Sequence, residues 1–351
     1  MRSPTARRPA WQHPAEVALA LAAAAVFAAS ILLGSYTVTV PDFVRIVVAD
    51  LTGGEKIPGA SFIVMEHKLP RAVVGALVGA AFGASGALFQ TMLRNPLASP
   101  DVIGISSGAS AAAVTAIVLF GASGPAVSAA ALAGALGVAA VIYALARRGS
   151  FGAAAGRGDA AGNRLILAGV GIAAALHAVV SFLMTRADIR TASDALVWLN
   201  GSLNAASWER AAVLGLAVAL LGPAAAALAG RLRILELGDD TAAALGLGVG
   251  ATRLAVVVTA VGLSAVATAA AGPVAFVAFL AGPIARRFVR RPSLPAAALT
   301  GVLIVLAADF LAANLAPLLL DGTVLPVGVV TGAMGAPFLL WLLVTANRKD
   351  P

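Results

Sequence analysis

LPRAVVGALVGAAFGASGALFQTMLRNPLASPDVIGISSGASAAAV, residues 69–114, decides the fold class. From 69 to 93 the only charge is Arg71, and a helix needs ~20 apolar residues to cross a bilayer. Gly75, Gly79, Gly83 and Gly86 fall on or near one side of that helix. Such a small-residue face lets a neighbouring helix approach closely. The helix ends at Arg94, and Asn95-Pro96-Leu97-Ala98-Ser99-Pro100 reads as a tight reversal stiffened by two prolines. A second apolar run follows, with Asp101 in its first turn, where a carboxylate suits the helix dipole.

Outward from this pair the same pattern repeats. Apolar runs at 16–35, 69–93, 100–120, 126–146, 164–184, 207–229, 252–271, 274–286, 294–316 and 326–346 predict about ten transmembrane helices in an all-α, polytopic membrane protein. The eighth is short. Its Gly272-Pro273 entrance and internal Gly282-Pro283 suggest a packed or broken helix rather than one facing lipid. Runs such as Val17–Leu33 do not alternate, which excludes a β-barrel. The first run resembles a signal peptide behind Arg2, Arg7 and Arg8, but its length and the later spans favour an uncleaved helix.

Composition agrees. The chain has 351 residues, of which 60% are hydrophobic and 11% charged, and its mean hydropathy is +0.95. A soluble domain has ~45–50% apolar and ~25% charged residues, so a soluble enzyme or a disordered chain is disfavoured. The +8 net charge comes without a basic, aromatic-interleaved patch, which argues against nucleic acid. Cysteine is absent and His13, His67 and His177 make no ligand spacing, so no metal or other cofactor is expected. With the N-terminus in the cytoplasm, 17 of the 24 lysines and arginines fall inside, including Arg286, Arg287, Arg290 and Arg291. That asymmetry predicts both termini inside a cell membrane and an even number of spans.

The whole of 1–351 reads as a single transmembrane domain. Two five-helix halves are compatible with the count, although no strict repeat is visible. The outer 36–66 segment is polar and mixed, and the 147–163 loop is Gly/Ala/Arg-rich. The cytoplasmic segment 230–251, which contains RLRILELGDDTAAALGLGVG at 231–250, reads as one or two short amphipathic helices with Asp239 and Asp240 at a helix start. An alternative for it is a helix lying on the membrane surface.

The chemistry of an engine is missing. None of the three lysines (Lys56, Lys68, Lys349) follows a glycine, so there is no GxxxxGK[ST] phosphate loop. Asp309 and His177 lie within spans, where each reads as a helix–helix hydrogen bond or as an ion relay. An ion-coupled secondary carrier would need Asp309. Gly83-Ala84-Ser85-Gly86 fits the GxSG of intramembrane serine proteases, with His177 as an imagined base, but the simpler reading is packing.

The 69–114 segment resembles the iron-siderophore and cobalamin (FecCD-type) permease family of ABC importers. The likeness rests on Leu69-Pro70-Arg71, Gly86-Ala87-Leu88-Phe89-Gln90, Arg94 through Pro100, Gly104 and Ser106-Ser107-Gly108-Ala109. It continues in order through Leu167 to Val170, Trp198 to Ser202, Leu237 to Gly246, Gly272 to Val277, Ala308-Asp309, Leu325 to Thr331 and Gly335 to Phe338. Two departures stand out: Gly282-Pro283 where many members have Pro-His, and Ala312-Ala313-Asn314 where some carry an outer arginine.

The resemblance implies a permease subunit without its own nucleotide site, moving a metal chelate inward by alternating access. A ferric siderophore is the favoured cargo, with cobalamin or haem as alternatives. The implied partners are two ATPase subunits, an extracytoplasmic substrate-binding protein, and a second permease subunit in a homo- or heterodimer. The arginine departure leans toward a heterodimer. The resemblance also implies roles. Asn95 and Leu97 would narrow a cytoplasmic gate, or serve only to cap the turn. Leu237, Gly238, Asp239, Asp240, Thr241, Leu245 and Gly246 would couple to the ATPase. Lys68 and Arg71 would dock the binding protein, or simply snorkel to headgroups.

Overall fold

The computed structural model describes residues 14–146 and 158–346. Arg2, Arg7, Arg8, Arg348, Lys349 and the 147–157 part of the Gly/Ala/Arg-rich loop lie outside them. Among the described residues the fold is helical throughout. In chain order the helices are α1 (Pro14–Leu32), α2 (Val40–Thr52), α3 (Ala60–Met92), α4 (Ile105–Phe120), α5 (Pro125–Ala146), α6 (Gly158–Arg186), α7 (Ile189–Leu199), α8 (Trp208–Leu235), α9 (Asp239–Ala244), α10 (Val249–Ala271), α11 (Val277–Val289), α12 (Leu294–Leu319) and α13 (Val327–Ala346). By length and composition α1, α3, α5, α6, α8, α10 and α12 are long and apolar enough to cross a membrane. The shorter apolar helices α4 and α13, and the short helix α11, lie in the remaining runs.

Helix α3 is the centre of the molecule, packed by α8, α10, α11 and α12. Its glycine face explains why. A Cβ at Gly79 would run into the Gly301 carbonyl, one at Gly83 into the Ala297 carbonyl, and one at Gly86 into the Ala278 carbonyl. Backbones this close gain dispersion contacts and leave no room for lipid. Gly108 and Gly134 do the same where α4 meets α5. The peripheral helices turn leucine outward instead: Leu21, Leu220 and Leu340 are all exposed, as expected where the solvent is hydrocarbon.

Two elements differ from expectation. The polar, mixed 36–66 segment, for which no element is expected, carries helix α2. Thr39 caps α2 by accepting the Asp42 amide proton, and Gly53 ends it with φ 70°. Helix α3 also begins at Ala60, before Leu69-Pro70. Pro70 cannot donate to the carbonyl four residues back, and a π turn over Ile63–Lys68 absorbs the mismatch. A second π turn, Leu311–Leu315, interrupts α12.

The eighth run is a packed, interrupted helix. It starts only at Val277, after Phe276 at φ 64°, and seven successive residues from Val277 to Pro283 are buried. Pro283 has no N–H for the Phe279 carbonyl, and the Gln90 side chain supplies one at 3.0 Å. Gly282 makes the room, because a Cβ there would strike Gln90 Oε1. Gly282-Pro283 is thus matched by a specific partner on α3.

Candidate functional site

The 230–251 segment resolves into the end of α8, the short α9 and the start of α10. Gly238 (φ 108°) and Gly246 (φ 81°) make the bends that only glycine adopts easily. Between them α9 is pinned by one buried side chain, Ala242, and by an ion pair. Arg253 reaches Asp239 at 2.8 Å from the first turns of α10. Asp239 therefore faces inward, whereas Leu237 and Leu245 are each 63% exposed and Asp240 and Thr241 are also exposed. Of the seven expected coupling residues, Asp239 is the anchor of the knuckle, Gly238 makes its half-buried first bend, and Leu237, Asp240, Thr241, Leu245 and Gly246 are exposed.

The turn after α3 adjoins this knuckle. Asn95 Oδ1 accepts the Leu97 amide at 2.9 Å, an Asx turn. Asn95 is exposed, while Leu97 is half-buried against the main core. Arg94, at φ 49°, donates to the Leu235 carbonyl at the end of α8 and lies 3.6 Å from Asp239. Arg94, Asp239 and Arg253 thus tie the Asn95–Leu97 turn, α8, α9 and α10 into one cluster. Sequence reading missed Arg253, because the pairing is a tertiary contact that no motif announces.

At the opposite end of α3, the two expected docking cations are already engaged. Lys68 Nζ donates to the carbonyls of Ile31, Leu33 and Tyr36, closing the end of α1. Arg71 makes a two-pronged ion pair with Asp309, with both N···O distances 2.8 Å, and a 2.7 Å hydrogen bond to Asn204. The guanidinium remains about a quarter exposed while Asp309 is nearly buried. Asp309 is thus a helix–helix partner with its charge matched, not a lone carboxylate in a span. At the start of α7, the hydroxyl and amide of Thr191 hold the Asp188 carboxyl below the usual range, with the Arg190 amide contributing, as Asp188 caps the helix.

Three expected motifs meet in one knot on this side. Ser202 N–H donates to the Ala271 carbonyl at 2.7 Å, and Gly328 N–H to the Gly201 carbonyl at 3.3 Å. A Cβ at Gly272 would strike the Trp198 carbonyl. Trp198–Ser202, Gly272–Val277 and Leu325–Thr331 therefore owe their wording to backbone packing. The protease reading finds no support: Ser85 is fully buried and its hydroxyl donates to the Ala260 carbonyl at 2.5 Å, while His177 is exposed on α6.

A model of the FecCD transport family matches residues 21–345. The chain is 40% identical over 298 residues to the ferric enterobactin transport system permease protein FepG of Escherichia coli (strain K12), covering 84% of this chain and 86% of the relative. It is 34% identical over 294 residues to the Fe(3+)-citrate import system permease protein YfmE of Bacillus subtilis (strain 168), covering 82% and 84%. It is 35% identical over 289 residues to the cobalamin import system permease protein BtuC of Halobacterium salinarum, covering 81% and 74%. A solved inward-facing structure assigned to the metal-chelate type of ABC transporter superposes with a TM-score of 0.79 at 24% identity, covering 94% of this chain and 98% of the other. That likeness speaks to fold alone.

Proposed function

This chain belongs to the FecCD transport family, and from that premise we propose that it is the multi-pass permease subunit of an ABC importer that carries a ferric siderophore into the cytoplasm. Ten spans in two five-helix halves, with both termini inside, put α9 on the cytoplasmic face. The observation that carries the reading is the knuckle itself. Two exposed leucines flank a six-residue helix whose own acid is tied back by Arg253. Exposed leucines held rigidly beside a polar rim suit a protein partner, and an ATPase subunit is the partner that supplies the missing nucleotide site.

Movement of the ATPase would push α9, and the Arg94–Asp239–Arg253 cluster would pass that displacement to the Asn95–Leu97 turn as the gate. At the outer end, an acidic group of the binding protein would replace Asn204 on the open side of Arg71. Lys68 would hold the rim's shape without itself meeting the partner. A second permease subunit would complete the pathway. The likeness to FepG supports a siderophore, and the likeness to the Halobacterium protein keeps cobalamin as the second reading.

The test is reconstitution in vesicles with the cognate ATPase and binding protein. Uptake of radiolabelled ferric siderophore should require all three and ATP. Uphill uptake by the chain alone, or uptake abolished by an uncoupler at constant ATP, would overturn the proposal.

A further inference from the structure

A cavity of about 310 Å³ opens among the ends of α1, α3, α8, α11 and α12, at the same end of the bundle as α9. Its polar mouth carries Arg233, Arg286 and Arg291, and its wall is formed by small apolar side chains including Ala87, Ala226 and Ala229. The charges within it are unevenly satisfied. Glu16 is taken by Ser293 at 2.6 Å and Arg291 at 3.3 Å. Arg286 is half-buried, makes one long hydrogen bond, 3.5 Å to Thr91 Oγ1, and lies within the electrostatic reach of Glu236 without a direct ion pair among the described residues. Glu236 is the remaining carboxylate on the lining. Arg233, one turn along α8, has no hydrogen bond or ion pair among the described residues. Two forked guanidinium groups with spare donors thus stand at the rim of an apolar slot.

We propose that this cavity is a specific site for an anionic phospholipid. Arg233 and Arg286 would take the phosphate, and the Ala87–Ala226–Ala229 wall would take the upper part of an acyl chain. A guanidinium matches phosphate oxygens two at a time, and basic pockets between membrane helices are suited to such headgroups. Free phosphate would satisfy the arginines but leave the apolar wall unused, so the slot selects the lipid form. The site is independent of what the importer carries. Loss of siderophore uptake would leave it standing, and its failure would leave the transport proposal intact.

The test uses the full chain, delipidated in mild detergent and titrated with phosphatidylglycerol, phosphatidylcholine or inorganic phosphate while bound lipid is counted by native mass spectrometry. Wild type should retain phosphatidylglycerol at least tenfold more tightly than phosphatidylcholine, and phosphate should not compete at millimolar concentration. R233A/R286Q should lose that preference. Ala226→Phe, which fills the exposed side of the slot without touching a charge, should also lose it while eluting as a monodisperse peak with unchanged helical content. Equal retention of the two lipids, competition by phosphate alone, or full phosphatidylglycerol retention by a folded Ala226→Phe or R233A/R286Q would overturn the proposal.

Discussion

The side-chain amide of Gln90 donates to the carbonyl of Phe279, the one backbone acceptor that Pro283 leaves without its usual partner. Both residues are buried, so no water can take over. Gln90→Leu should therefore expose the full cost of an orphaned carbonyl, about 1–3 kcal/mol. A lowered midpoint of thermal unfolding in detergent, read by loss of helical circular dichroism, checks it. Restoring the N–H with Pro283→Ala in the Gln90→Leu background should recover most of the loss.

The Arg71–Asp309 pair makes a second prediction. Removing one charge leaves the other unpaired and partly buried, which costs about 3–5 kcal/mol in a dry setting, and less here because Arg71 keeps some solvent contact. Arg71→Met and Asp309→Leu should each destabilise, and the double variant should be markedly more stable than either sum predicts. A thermodynamic cycle in urea or detergent denaturation measures that coupling. If Asp309 were instead an ion relay, Asp309→Asn would abolish transport with little loss of stability.

Asp239 and Arg253 test the knuckle. Arg253→Met should loosen α9 without unfolding the bundle, since Ala242 and the longer 3.6 Å contact of Asp239 with Arg94 would be left to hold the short helix. Faster amide exchange over 237–247, with unchanged protection in α3 and α10, is the expected signature. ATP hydrolysis in the assembled transporter should become less responsive to substrate-loaded binding protein, by about tenfold if the knuckle contributes ~1.4 kcal/mol of coupling. The charge swap Asp239→Arg with Arg253→Asp should recover part of it.

Leu237 and Leu245 separate an interface from a structural role. Because both are exposed in the isolated chain, replacing them with serine should change its stability by less than about 0.5 kcal/mol. Assembly with the ATPase should nonetheless fall sharply, as measured by co-purification, and siderophore uptake with it. A large fall in stability would mean that these side chains pack within the chain.

How far the sequence reached is clearest at particular residues. The apolar runs placed the helices because each must fill the bilayer with its own hydrogen bonds, and that constraint is local and periodic. The glycine spacing on α3 announced close packing, and Gly301 and Ala297 proved to be what packs there. Asp309 was legible as a helix–helix contact, but its partner, Arg71, lies 238 residues away. A long separation likewise hid the Gln90–Phe279 bond, whereas Arg253 lies only 14 residues from Asp239 and was hidden because the fold of the knuckle, not a motif, brings them together.

The sequence by itself thus determined that the chain is a helical membrane protein, roughly where its long apolar helices fall, and which family it resembles, because hydrophobicity and turn chemistry act within a single segment. Tertiary structure decided which charges are spent inside the molecule and which remain for partners. Lys68, Arg71 and Asp239 look equally available as letters. Only packing shows that the first two are engaged in the N-terminal half of α3 and the third anchors α9, since such contacts depend on how the helices come together in space.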